Sequence, residues 1–189
     1  MKTPMSLLLA AALTAAGTIG CDRDERAAVP PPGQPAPATA APTVAADALP
    51  TDLVLASAPA GARGVTDVRE SAKPGDRVVV RGVIAGRGEP IAATRAMFTL
   101  LDPSVQTCDK SQDDGCKTPW DACCVTGDVI AANVATVQVV DADGRPLKAP
   151  LADVGGLAPM KQVTVVGTFR PSPDGKAATI DATGIYSER

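Results

Sequence analysis

The sequence predicts an all-β domain, a small five-stranded antiparallel barrel with a disulfide-stapled loop, carried behind a disordered tether. Three observations lead there. Five short runs between residue 75 and the end alternate apolar and polar side chains with period two, the mark of half-buried strands. Gly, Pro and Asp clusters punctuate the runs at 86–90, 141–144 and 171–175, and these residue types make turns. Glycines 82, 167 and 184 interrupt the runs themselves, as bends in a tightly curled sheet do.

Taken in order, the first run places Val78, Val80 and Ile84 on one face, with Arg77, Val79, Arg81 and Val83 on the other. The second brings Ala96, Phe98 and Leu100 together, and the third Ala135, Val137 and Val139. The fourth gives Val163, Val165 and Phe169, and the fifth Ala178, Ile180, Ala182 and Tyr186. The 171–175 turn, PSPDG, lies between two alternating runs and predicts a hairpin. Thr66-Asp67-Val68-Arg69 reads as the start of a helix ahead of the first strand. The connection 147–159 holds Pro150, Gly155, Gly156 and Pro159, which leave room for no more than a helical turn. This pattern resembles the OB-fold, a five-stranded Greek-key barrel, whose usual helix in that connection is here cut short. A seven-stranded sandwich is the alternative, and it lacks strand runs.

Ahead of the strands the composition changes. Residues 27–50 are rich in Pro and Ala and offer little to bury, so they are expected to stay extended and disordered. At about 3 Å per residue such a tether holds a domain tens of ångströms from its anchor. Residues 1–20 combine Lys2, the apolar stretch Leu7-Leu8-Leu9-Ala10-Ala11-Ala12-Leu13 and small residues, the layout of a secretory signal. The tetrad Thr18-Ile19-Gly20-Cys21 resembles the lipobox of bacterial lipoproteins. That resemblance implies cleavage before Cys21 and acylation of its thiol with palmitate-type chains, two or more of which anchor a protein stably. A plain secretory signal and an uncleaved anchor are the alternatives. The apolar stretch is shorter than the roughly 20 residues a spanning helix needs. Asp22 resembles an inner-membrane retention signal, without fixing the membrane. The expected organisation is a signal peptide at 1–20, lipid attachment and linker at 21–62, and the barrel at 63–189.

Histidine is absent from the chain. The commonest general base and metal ligand is therefore missing, and Ser-His-Asp and Cys-His catalysis within this chain are excluded. Acidic residues gather at Asp102, Asp109, Asp113, Asp114, Asp121 and Asp128, against Lys110 and Lys117. With few aromatics and no basic stretch, nucleic-acid binding is not expected.

The chemistry concentrates in the loop 102–128. Cys108, Cys116, Cys123 and Cys124 are all the cysteines beyond Cys21. In an exported protein thiols oxidise, so two disulfides are expected. Three pairings are open. The adjacent pair bonds to itself only with strain, which favours one bond from each of Cys123 and Cys124 to Cys108 and Cys116. Closing a loop of about 15 residues stabilises by about 3 kcal/mol. A metal site on the same four cysteines is the second reading, for zinc or copper. The aspartates do not match the calcium-loop spacing. Thiol redox chemistry is the third, although nearby aspartates disfavour thiolates. Trp120, the single tryptophan, is expected to pack over the sulfurs or, with Asp113, Asp114 and Asp121, to form a binding surface.

The stretches GDRVVVRG at 75–82, MFTLLDPS at 97–104 and TPWDACC at 118–124 together resemble envelope lipoproteins of planctomycete type. The resemblance implies an extracytoplasmic address and an OB-like domain, and no particular activity. The combined expectation is a lipid-anchored, non-enzymatic module without a cofactor, contacting an envelope protein or small ligand through its cysteine loop.

Overall fold

A computed structural model describes residues 46–110 and 116–188. The lipobox with Cys21, most of the Pro/Ala stretch, and Asp113 and Asp114 lie outside the described residues. In chain order the elements are β1 (Arg63–Gly64), α1 (Val65–Ser71), β2 (Arg77–Ile84), β3 (Met97–Leu101), α2 (Gly127–Ala132), β4 (Val134–Gln138), β5 (Gln162–Pro171) and β6 (Ala178–Ser187). Short 3-10 turns occupy Cys108–Lys110 and Val154–Gly156. The second of these is the helical turn that the Pro and Gly content of 147–159 allowed.

The strands run β2-β3-β4-β6-β5, and β5 pairs back onto β2 to close a five-stranded barrel. All the predicted strands are present, and the closed β-barrel is consistent with an OB-like fold. One expectation is corrected. The barrel is not wholly antiparallel, because β4 and β6 are parallel. The cause is parity: strands alternating in direction around a closed ring of odd number must meet once in the same direction. β1 adds two residues in parallel to β2.

Closure depends on β2 serving two partners. Residues 77–83 pair with β5, and Val83 and Ile84 pair with β3. Gly82 lies at this crossing. A Cβ there would stand 2.7 Å from Leu100 Cγ and from the Leu101 carbonyl oxygen, so only a glycine lets β3 cross so close. Gly167 has the same role against β6, where a Cβ would meet the Asp181 carbonyl oxygen at 2.4 Å.

The barrel interior is apolar. Val78, Val80, Ile84, Phe98, Leu100, Val137, Val139, Val163, Val165, Phe169 and Ile180 are buried in one cluster. These are the inward faces that the alternation predicted, with one exception. Tyr186 is half-buried, and Ile185 takes the core position on β6. The register shows why. Val166 pairs with Gly184 and Gly167 with Ala182, so Thr183 has no opposite number. This bulge shifts the alternation by one residue and turns Ile185 inward.

Residues ahead of β1 also pack on the barrel. Leu53, which composition groups with the tether, is 2% exposed. Its carbonyl accepts from Ile185 N at 2.6 Å, and Leu55 N donates to the Ile185 carbonyl at 2.8 Å. Among the described residues, no helix is long and apolar enough to cross a membrane.

Candidate functional site: the cysteine loop

The long connection from β3 to β4 carries all four cysteines. Its stem is closed by Asp102 N donating to the Asn133 carbonyl at 2.9 Å. Asp102 then anchors α1. The N-cap residue of that helix is Gly64, which has no side chain to offer its first turn. Asp102 Oδ2, 36 residues away, accepts from Thr66 N at 3.1 Å instead. Asp102 Oδ1 accepts from Ser104 N at 3.0 Å and Ser104 Oγ at 2.7 Å. Burial alone would raise the pKa of this carboxyl, but the hydrogen bonds from Ser104 and Thr66 outweigh it and hold it below the usual range. In the sequence Asp102 is one carboxylate among several in an acidic loop. Its position is that of a helix cap.

Beyond the stem, two backbone bonds fold the loop on itself. Cys108 N donates to the Asp121 carbonyl at 2.7 Å, and Asp109 N to the Pro119 carbonyl at 3.1 Å. This short ladder carries Cys108 towards the Cys123 end of the loop. The turn after β2 grips the loop from the barrel. Gly86 N donates to the Trp120 carbonyl at 3.0 Å, Trp120 Nε1 donates to the Gly88 carbonyl at 2.9 Å, and an Arg87 guanidinium nitrogen donates to the Val125 carbonyl at 2.8 Å. Gly88 takes φ 72°, a left-handed conformation in which glycine is unstrained.

A small second core sits under the loop. Ala85, Leu101, Val105, Ala122 and Ile130 are buried together, with Trp120, Val125 and Val134 packed against them. Trp120 is therefore a half-buried structural residue with its N–H already used. Ile130 comes from α2.

The ladder brings three sulfurs together. Cys123 Sγ lies 3.1 Å from Cys108 Sγ and 3.1 Å from Cys116 Sγ, and all three lie within 4.8 Å of one another. A disulfide requires about 2.05 Å, so these are thiol contacts, and the expected staple is not formed at these distances. Cys124 Sγ lies 3.8 Å from Cys123 Sγ and outside that group of three. Hydrogen bonds from Cys108 and then Cys116 hold the Cys123 thiol below its ordinary pKa, against burial and the nearby Asp121 charge. Donation to Cys123, together with burial, pushes the Cys108 thiol up. Cys108 is buried, Cys116 is half-buried, and Cys123 and Cys124 are exposed. The group thus has a buried base at Cys108 and a solvent-facing tip at Cys123.

Asp121 borders the group. Its Oδ1 is buried and has no hydrogen-bond partner among the described residues. Asp128 lies in the first turn of α2 and is exposed. A cleft of about 190 Å³ beside the loop is lined by residues that include Asp102, Thr107, Asp109 and Met160. Met160 takes φ 69°, a conformation uncommon outside glycine.

No protein-family model matches this chain. No curated protein matches it either.

Proposed function

We propose that this chain is a lipid-anchored, extracytoplasmic module of the cell envelope, whose OB-like barrel presents the cysteine loop as a contact surface. It acts by binding and not by catalysis. The lipobox tetrad ending at Cys21 and the Pro/Ala stretch support the address and the tether. One observation supports the role of the loop. Cys108, Cys116 and Cys123 converge on a segment fastened to the barrel turn by Gly86, Gly88 and Arg87. A segment held this firmly keeps its side chains in one arrangement for a ligand, which lowers the ordering cost of binding. The contact is placed on the sulfur tip and not on Trp120, whose ring and N–H serve the loop itself.

The experiment is metabolic labelling with a clickable fatty acid, combined with a membrane-impermeant maleimide on intact cells. Wild-type protein is expected to take up the fatty acid and Cys21→Ser to lose it. The exposed cysteines are expected to react without lysis. Absence of acyl label on the wild type, or thiols reached only after lysis, would overturn the assignment.

A second reading keeps the disulfide staple, supported by the 3.1 Å approach of Cys123 to both Cys108 and Cys116. Intact mass of the protein from native membranes, with and without reductant, separates the two. Alkylation of the loop cysteines before any reductant, with no further uptake after reduction, supports the thiol form; uptake only after reduction supports the staple.

A further inference from the structure

We infer that Cys108, Cys116 and Cys123 form a three-thiolate site for a single copper(I) ion, an inference that rests on the binding role proposed for the loop. The donor set is the first argument. Three sulfurs lie within 4.8 Å of one another, with Cys123 equidistant from the other two. A disulfide from Cys123 joins it to one of these neighbours, whereas one ion engages all three sulfurs. Metal–thiolate bonds of about 2.3 Å, as for zinc, set trigonal sulfurs about 4 Å apart. The group therefore opens by less than about 1 Å, which small rotations about the Cα–Cβ bonds supply.

The number of donors chooses the ion. Thiolates select copper(I) and zinc, but structural zinc takes four ligands. Among the described residues the convergent set is three, Cys108, Cys116 and Cys123, and the chain has no histidine to complete a tetrahedron. Copper(I) is satisfied by fewer, softer ligands.

Binding involves no redox change: three Cu–S bonds form, and the thiol protons leave to solvent.

The test uses the full chain purified from membranes in detergent, reduced without oxygen and stripped of metal. Copper(I) is delivered from a competing chelator, with zinc(II) in a parallel titration. One equivalent of copper(I) is expected, with X-ray absorption reporting three sulfur neighbours. Changes outside the ligand shell already cost about 10–100-fold in affinity. Cys108→Ser, Cys116→Ser and Cys123→Ser are each expected to weaken copper(I) by more than about 100-fold, with Cys124→Ser unchanged. Counting sulfurs in the wild type keeps the test valid even if the buried Cys108→Ser variant fails to fold. A count of four sulfurs, tighter binding of zinc(II), a loss in Cys124→Ser matching the others, or no stoichiometric copper(I) would each overturn the site. The acylation and surface-labelling experiment reads the address separately. Copper(I) bound by thiols sealed from external reagent would sink the envelope reading alone, and reactive surface thiols without copper would sink the copper site alone.

Discussion

Asp102→Asn isolates the contact on which the loop stem and α1 both depend. The wild-type carboxylate accepts three hydrogen bonds, one from Thr66 N and two from Ser104. Asparagine keeps the shape and one acceptor oxygen. If that oxygen faces Ser104, the new amide donor points at the Thr66 N–H donor. A hydrogen bond to a charged group contributes about 1.5–3 kcal/mol. Losing the Thr66 bond and weakening the Ser104 pair from charged to neutral therefore costs about 3 kcal/mol, a large share of the roughly 5–15 kcal/mol of a typical domain. With a urea slope of about 2 kcal/mol/M, the midpoint falls by about 1.5 M. Gly64→Ala checks the same contact while keeping the carboxylate. Its Cβ would stand 2.7 Å from Asp102 Oδ2, so the anchor must move, and the midpoint falls again. The pH dependence has a fixed sign. The folded-state pKa of Asp102 is depressed, so its contribution is fully present above the unfolded value of about 3.9. It disappears as pH falls through the folded value. The gap between wild type and Asp102→Asn is expected to close on acidification below about pH 4. A midpoint change under about 0.3 M at neutral pH, or a gap that widens in acid, would refute the reasoning.

Three further outcomes are expected. Gly167→Ala forces a Cβ to within 2.4 Å of the Asp181 carbonyl oxygen and 2.7 Å of Ile180 Cγ2; a loss of about 1–3 kcal/mol in chemical denaturation is expected, and a neutral variant would remove the close crossing from the account. In reduced, metal-free protein Cys123 is expected to alkylate ahead of Cys108, because its thiol pKa is lowered and it is exposed while that of Cys108 is raised. Asp121→Asn removes the charge that opposes Cys123 ionisation, so peptide mapping after brief alkylation at neutral pH should show faster modification; a slower rate would contradict the sign.

Much of the barrel was legible because strand alternation is local. The inward sets on β2, β3, β4 and β5, such as Val78, Val80 and Ile84, follow from period two alone. The turn at 171–175 is equally local: Gly175 takes φ 69° and Ser172 N donates to the Ala177 carbonyl. Tyr186 marks where that reading stops. The bulge at Thr183 is set by pairing with β5, and no feature of β6 by itself announces it. The parallel β4–β6 contact is likewise a property of the ring.

The loop divides the same way. Its cysteines and aspartates, and the turn-forming glycines that grip it, are visible in the sequence. Which sulfurs meet is not, because the ladder from Cys108 to Asp121 and the seat of Trp120 on Gly88 join residues from separate segments. Strands, turns and the concentration of thiols depend on neighbours along the chain, and so they are readable before the chain is folded. That Asp102 caps α1, that Trp120 is a packing residue, and that Cys108, Cys116 and Cys123 converge emerges with the folded barrel. Those outcomes depend on contacts across the fold, which barrel closure brings into range.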